Sequence, residues 1–263
     1  MVCRGSLVCL TVLLLAGCAG QSPPGAWGMR WPSALEAREA AVAAARSPAT
    51  WAPLAGAALL QVDDWDEDVS DWAADERPLF GSRAEAWSDD LRLASNAAWL
   101  LSTLPQPDGD PADPLLRRLG VGASALLLER AATYGLKEAV GRRRPDDSDT
   151  RSFPSGHAGS AAAAATLAGR NVAAMNLPAR LSVPVRVGLH GLAAGTAWAR
   201  VEARRHHASD VLAGYALGRF IAAFVAGAFQ EAGRNDARGN TLTADFQPLP
   251  RGGAVTVRLG RIR

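Results

Sequence analysis

The chain has 263 residues, of which 48% are hydrophobic and 21% charged, and these proportions exclude a protein that is disordered throughout. The mean hydropathy is close to zero. Each membrane span needs about 20 mostly apolar residues, so a polytopic membrane protein is not expected. The net charge of +2 gives no general electrostatic reason to bind nucleic acid.

The first residues have the pattern of an export signal. Arg4 supplies a positive charge, and residues 7–15 form an apolar run too short to span a bilayer as a mature helix. The run ends in Leu15-Ala16-Gly17-Cys18, which resembles the bacterial lipobox, where the peptide is cut before the cysteine and the thiol carries lipid. An ordinary secretory signal that happens to contain a cysteine is the alternative.

Cysteine usage agrees with lipidation at Cys18. The other two cysteines, Cys3 and Cys9, lie in the predicted signal peptide at residues 1–17, so the mature chain would have no free thiol and no disulfide. That excludes a cysteine-dependent enzyme and a zinc-thiolate or iron–sulfur protein. Ala19 follows the anchor and, by resemblance to Gram-negative sorting, favours the outer membrane facing the periplasm. We therefore expect a lipid-anchored protein of the bacterial cell envelope.

The rest of the chain is predicted to be mostly helical. Residues 33–46 read as a short helix after a tether, and residues 84–104 as an amphipathic helix. Proline-rich residues 105–113 separate the latter from a long helix at 114–141. The apolar stripe of the amphipathic helix is predicted at Trp87, Leu91, Ala94, Ala98 and Leu101.

Three helices rich in Ala and Gly are predicted to follow, at residues 156–175, 185–201 and 209–230. Each contains arginine and none is uniformly apolar, so we expect them to form the buried core of a soluble bundle. We predict an all-α fold with a small C-terminal β-hairpin, because residues 241–247 and 254–259 have β-like character. The predicted units are a tether and leader helix (18–48), a helical domain (49–232) and a tail (233–263).

Three segments have residue types suited to chemistry on an anion. Lys137, the only lysine of the chain, precedes Arg144-Pro145, and Arg200 opens the third segment. If these residues converge, their three positive charges would be costly to bury unpaired, and a tetrahedral oxyanion would resolve that cost. Ser155 and Gly156 start a helix, so their backbone N–H groups would add donors to the same anion.

Two histidines and a carboxylate complete this set. His206 and Asp210 are four residues apart and share one face of a helix start. Asp210 would accept a hydrogen bond from one ring nitrogen of His206 and leave the other as a lone pair aimed at phosphorus. His157 would then protonate the leaving oxygen. This chemistry needs no metal.

The three segments resemble the signature of the type 2 phosphatidic acid phosphatase and vanadium haloperoxidase superfamily: Lys-x6-Arg-Pro, Pro-Ser-Gly-His and Ser-Arg-x5-His-x3-Asp. The resemblance implies an all-helical fold in which His206 becomes a phosphohistidine, Asp210 orients it and His157 is the general acid. It also implies that five residues hold the phosphate, namely Lys137, Arg144, Ser155, Gly156 and Arg200.

Some interpretations stay open at this stage. Ala199 replaces the usual serine before Arg200, so one hydroxyl is missing. Arg142 and Arg143 are predicted to be a solvated helix end, and Ser155 taken alone would be only a helix cap. His206 and His207 with Asp210 could also form a metal site.

The predicted function is a periplasmic phosphatase that acts on phosphomonoesters or pyrophosphates, free or lipid-linked. The expected partners are a phosphorylated small molecule or lipid head group, and the membrane through the anchor, with no nucleic acid. No cofactor is expected, and vanadate should inhibit. The alternatives are a vanadium-dependent haloperoxidase, with vanadate as its cofactor, and a non-catalytic phosphate-binding lipoprotein. The sequence leaves the oligomeric state open.

Overall fold

A computed structural model describes residues 31–104, 115–175, 177–237, 240–249 and 252–261, with side chains to residue 229. Cys18 and the segment at 105–113 lie outside the described residues. The described helices are α1 (Ala34–Arg46), α2 (Pro48–Leu59), α3 (Trp65–Glu76), α4 (Ala84–Thr103), α5 (Leu115–Val140), α6 (Gly156–Ala174), α7 (Ala179–Glu202) and α8 (Ala208–Ala237). The predicted all-α class is confirmed.

The leader helix α1 begins where the sequence predicts. Ser33 caps it through a capping box, in which the hydroxyl accepts from the Glu36 N–H while the Glu36 carboxylate accepts from the Ser33 N–H at 2.8 Å. The helix then packs on the last helix, where Ala40 lies against Gly227. The leader helix is therefore a packed layer of the bundle.

Helix α4 forms as predicted, but its buried face is rotated by about one residue from the predicted stripe. Trp87 and Leu101 are exposed, whereas Ser88, Ser95 and Trp99 are buried. The serine hydroxyls bond back to carbonyls of their own helix, so they can be buried next to α6 and α7 at little cost. The predicted stripe is therefore only partly right: Leu91 and Ala98 are half-buried, whereas Trp87, Ala94 and Leu101 are exposed.

Helices α6 and α8 form the centre of the fold, and glycine lets them approach each other. A Cβ at Gly218 would lie 2.0 Å from the Gly159 carbonyl oxygen, and one at Gly214 would lie 2.3 Å from the Ser155 oxygen. Neither distance can accommodate a side chain, so main chain contacts main chain along this crossing. The Ala-rich stretch of α6 fills the surrounding core.

Helix α7 begins earlier than predicted and contains Pro184 near its start. Pro184 has no N–H to donate to the carbonyl of Arg180, one turn earlier. Both residues are exposed, so water can bind that carbonyl instead. Within α8, Ala208–Phe229 is the one described stretch that is long and apolar enough to cross a membrane, with mean hydropathy 1.7. More than half of its apolar window, 56%, is buried inside the bundle.

The helices run back and forth, so that the C-terminal ends of α5 and α7 lie with the N-terminal ends of α6 and α8. The tail forms an antiparallel pair of strands, β1 (Asn240–Leu249) and β2 (Gly252–Arg261), where a hairpin is predicted. The three sequence motifs fall at the shared end of the four helices.

Candidate active site

Hydrogen bonds to main-chain carbonyls join the three motif segments. The Ser155 N–H donates to the Asp210 carbonyl at 3.0 Å, which ties the start of α6 to the start of α8. Arg144 Nη1 donates to the Arg205 carbonyl at 3.1 Å, and Lys137 Nζ to the Ser152 carbonyl at 3.3 Å. Residues far apart in sequence therefore lie around one centre.

Lys137, Arg144 and Arg200 lie close enough to perturb one another. Burial lowers the pKa of Lys137 to about 8, and the charges of Arg144 and Arg200 contribute to the shift. Burial, followed by the charge of Arg144, lowers the pKa of Arg200 to about 10. A group of cations that depress each other's protonation is an environment that an oxyanion would stabilise.

Arg144 and Arg200 differ in how many of their N–H donors already bind other groups of the protein. Arg144 Nε pairs with Asp149 at 2.7 Å, so the carboxylate of Asp149 already occupies one donor of Arg144. Arg200 is 6% exposed and donates from Nη1 to Ser88 at 3.3 Å. Its Nε is buried and has no hydrogen-bond partner among the described residues. Arg200 thus keeps directed donor capacity inside the site.

His206 and Asp210 form a buried pair at the start of α8. They are 2% and 0% exposed, and His206 Nδ1 lies 3.8 Å from Asp210 Oδ2, within ion-pair reach but longer than a hydrogen bond. Burial lowers the pKa of His206 to about 4; Asp210 opposes the shift, while Lys137 and Arg200 add to it. The imidazole is therefore neutral near pH 7, with a lone pair available.

Asp210 is held on both of its oxygens. Oδ1 accepts from Arg142 Nη1 at 2.9 Å, and Oδ2 accepts from the Ser152 hydroxyl and from the His207 N–H at 3.0 Å. Burial alone would raise the pKa of Asp210, but His206, Ser152 and Arg142 outweigh it and bring the value to about 2. Asp210 is therefore a fixed anion.

His157 has a partner that the sequence did not suggest. Its Nε2 lies 2.9 Å from Asp89 Oδ1 on α4. Burial and the charge of Arg200 lower the pKa of His157, whereas Asp89 raises it. The charge of Arg200 lowers the pKa of both His157 and His206, so both imidazoles lie near the same guanidinium.

The start of α6 departs in one respect from the prediction. The sequence predicts that the Ser155 N–H binds the anion, but this N–H donates to the Asp210 carbonyl. The Ser155 hydroxyl accepts from the Ala158 N–H as the helix cap and keeps its own proton for donation. Gly156 is the first residue of α6, so its N–H has no partner within the helix and lies at the positive end of the dipole.

Arg142 also differs from its predicted role. The sequence predicts a solvated helix end for both Arg142 and Arg143, and the Arg143 side chain is indeed 73% exposed. Instead Arg142 joins Asp66 on α3, at 2.7 Å, to Asp210. The prediction is wrong because the partner carboxylates come from helices 76 and 68 positions away along the chain.

Sequence reasoning missed Asp66, Asp89 and Ser152 as well as Arg142. Ser152 lies two residues before the Pro-Ser-Gly-His motif, and this closeness is the one sequence feature that indicates a role in the site. Asp66 and Asp89 lie in acidic segments where nothing distinguishes them from their neighbours. Among the described residues, no group of three or more His, Cys, Asp or Glu side chains is arranged to hold a metal ion.

The site thus offers a neutral buried imidazole, a fixed carboxylate, three converging cations and a second imidazole with its own carboxylate. These groups can bind a tetrahedral oxyanion, attack its central atom and move a proton to or from a departing oxygen.

Comparisons with known proteins bear on the fold and on the family that the chain resembles. Residues 119–234 match the model of the PAP2 superfamily. The fold resembles the crystal structure of a transmembrane PAP2-type phosphatidylglycerolphosphate phosphatase from Bacillus subtilis, with 23% identity and a TM-score of 0.50, over 71% of this chain and 98% of that one. No curated protein matches the chain. The matched region covers less than half of the chain and contains all eight residues predicted for the site, so this part of the chain is similar to the PAP2 superfamily.

Proposed function

We propose that this protein is a metal-independent phosphatase that hydrolyses phosphomonoesters or pyrophosphates through a phosphohistidine on His206. The observation that carries the proposal is the buried His206–Asp210 pair beside Lys137, Arg144 and Arg200. A buried imidazole that stays neutral in a cluster of cations is suited to attack an anion.

In the proposed first step, His206 Nε2 attacks phosphorus, because Nδ1 faces Asp210. A nitrogen–phosphorus bond forms, the bond from phosphorus to the leaving oxygen breaks, and His157 gives a proton to that oxygen. Lys137, Arg144 and Arg200 offset the charge on the phosphoryl oxygens. In the second step a water attacks phosphorus, the nitrogen–phosphorus bond breaks, His157 takes the proton of the water, and inorganic phosphate leaves.

The substrate class rests on two supports. The fold resembles that of a phosphatidylglycerolphosphate phosphatase, and the sequence predicts a lipid anchor at Cys18. Both favour lipid-linked phosphates as the class to test first, with soluble esters next. The proposed location is the envelope, with the chain held on the outer membrane and facing the periplasm.

The test is phosphate release by the purified full chain from soluble esters, lipid monophosphates and isoprenoid pyrophosphates. We expect release that a chelator does not reduce and that vanadate inhibits. Absence of release from every class would contradict the proposal. Oxidation of bromide with vanadate and peroxide, without phosphate release, would instead favour the haloperoxidase.

The anchor is tested separately by Cys18→Ser. We expect the variant to lose lipid modification by mass spectrometry and to leave the membrane fraction. Cys9→Ser, within the same predicted signal, is the matched control and should keep both properties. Lipid on the Cys18→Ser chain would refute the anchor and leave the phosphatase proposal untouched.

A further inference from the structure

Helix α3, which lies outside the region matched to the PAP2 superfamily, reaches the floor of the site through one buried carboxylate. Asp66 is 5% exposed and accepts from Arg142 Nη2 at 2.7 Å and from the Ser209 N–H at 2.7 Å. The Ser209 hydroxyl also donates to Asp66, at 2.5 Å, and Gln61 Nε2 donates at 3.2 Å. A carboxylate at this depth with four donors is a fixed part of the structure.

The guanidinium of Arg142 connects this carboxylate to the proposed dyad. Nη2 donates to Asp66, whereas Nη1 donates to Asp210 at 2.9 Å and to the Ser209 hydroxyl at 2.8 Å. The planar fork of an arginine sets the angle between its two partners, which the single ammonium of a lysine does not. Asp66 therefore fixes the plane of Arg142, and Arg142 fixes Oδ1 of Asp210.

Helix α3 also supplies the hydrogen bonds at the start of α8. The Ala208 N–H donates to the Ser70 hydroxyl at 2.9 Å, and the Ser209 N–H donates to Asp66. The first N–H groups of a helix have no partners within it, so these side chains complete the turn that contains Asp210. Both the backbone and the carboxylate of Asp210 thus depend on α3.

The charges of this cluster balance in a way that bears on His206. Asp66 and Asp210 contribute two negative charges and Arg142 one positive charge, which leaves one net negative charge beside the imidazole. Lys137 and Arg200 face His206 from α5 and α7 and act in the opposite sense. Asp210, which Arg142 and Asp66 hold in place, counters the positive charge that His206 gains when it is phosphorylated or protonated.

We propose that Asp66 and Arg142 are positioning residues, which together hold Asp210 in the orientation that keeps the proton of His206 on Nδ1 and its lone pair on Nε2. This inference rests on the proposed phosphatase function. Neither residue touches the phosphate in this scheme, so their loss should reduce turnover and leave substrate binding nearly intact.

The kinetic test compares Asp66→Asn and Arg142→Gln with the wild-type full chain, using p-nitrophenyl phosphate. Because a displaced dyad misaligns the attack, we expect kcat to fall about tenfold to a hundredfold, while KM and vanadate inhibition change less than about threefold. The matched controls are Asp68→Asn, on the exposed face of α3, and Arg143→Gln, and they should keep wild-type kcat. A kcat within about twofold of wild type in Asp66→Asn overturns the inference.

A double-mutant cycle separates a linked pair from two independent structural effects. Because the two residues act through one bond to Asp210, Asp66→Asn with Arg142→Gln should be no more than about threefold below Arg142→Gln alone. Losses that multiply would overturn the inference. Arg142→Lys keeps the charge without the fork, so it should recover only part of the lost kcat.

A readout without turnover distinguishes failure of this inference from failure of the proposed function. In nitrogen-15 spectra of the histidines near pH 7, wild-type His206 should carry its proton on Nδ1, and Asp66→Asn should shift the population toward Nε2. An unchanged tautomer would overturn the positioning role even in an active enzyme. A wild type without phosphatase activity refutes the proposed function, and the tautomer then decides the positioning role alone.

Discussion

The two histidine–carboxylate pairs of the site occupy opposite environments. His206 and Asp210, the floor pair, are almost fully buried, whereas His157 and Asp89, the rim pair, keep 30% and 54% of their side chains exposed. At the floor, burial keeps the imidazole neutral. At the rim, burial and the charge of Arg200 lower the pKa of His157, and Asp89 opposes part of that shift. The proposed nucleophile therefore lies deeper than the proposed acid, and its carboxylate is 3.8 Å away, against 2.9 Å at the rim.

The strongest test of the floor pair is removal of its imidazole. His206→Ala should reduce phosphate release at least about a thousandfold, because no other described group there can form the covalent intermediate. The measurement is kcat, with thermal unfolding as the check on the fold. His190→Gln is the matched control, since His190 lies about 15 Å along α7 from Arg200 and contacts Tyr215 at 2.8 Å. Normal turnover by His206→Ala would refute the role of His206 as the nucleophile.

Lys137 tests whether the floor requires an ammonium group in particular. Lys137→Arg keeps the charge, but a planar guanidinium cannot reproduce the contacts of a point ammonium with the carbonyls of Arg151 and Ser152. We expect kcat/KM to fall about tenfold, on the order of 1.4 kcal/mol. A silent substitution would show that only the charge at this position matters.

The rim pair is tested by Asp89→Asn. Asp89 raises the pKa of His157, so its loss should lower that pKa further. An acid must be protonated to act, so the high-pH limb of the kcat/KM profile should move to lower pH, and the rate near pH 7 should fall about threefold to tenfold. The neighbouring Asp90→Asn, exposed on the same helix, is the control. If the high-pH limb of the profile does not move, Asp89 has no role in the proton transfer proposed for His157.

The smallest expected effect concerns stability. The pKa of His206 is about 4 when folded, against a usual value of 6.5, so between these values the unfolded chain binds more protons than the folded one. Stability therefore rises with pH across that window and falls as pH drops from 6.5 toward 4. The denaturant midpoint should show this slope, and His206→Ala should flatten it. His190, whose burial also lowers its pKa to about 4, should retain its own share.

The helices and the list of site residues could be predicted because their signals are local. Capping, helical periodicity and the spacing of His206 and Asp210 all lie within a few residues. The contacts of Asp66 and Asp89 join helices that are distant in sequence, and each of these residues stands among other acids. The stripe on α4 was only partly predicted for a related reason, since contact with α6 and α7 buries Ser88 and Ser95, whose polar side chains do not mark a buried face in the sequence.

At the crossing of α6 and α8 the two main chains are in direct contact, and this contact separates changes in substrate entry from changes in the reacting geometry. Since Gly159, Gly214 and Gly218 let one backbone rest on the other, the spacing between the two helix starts does not depend on the size of any neighbouring residue. Mutations in the loop at residues 146–151 can then change which substrates enter the site without altering the distance between the proposed attacking and protonating groups. Substrate choice can then change while the geometry of the proposed reaction stays the same.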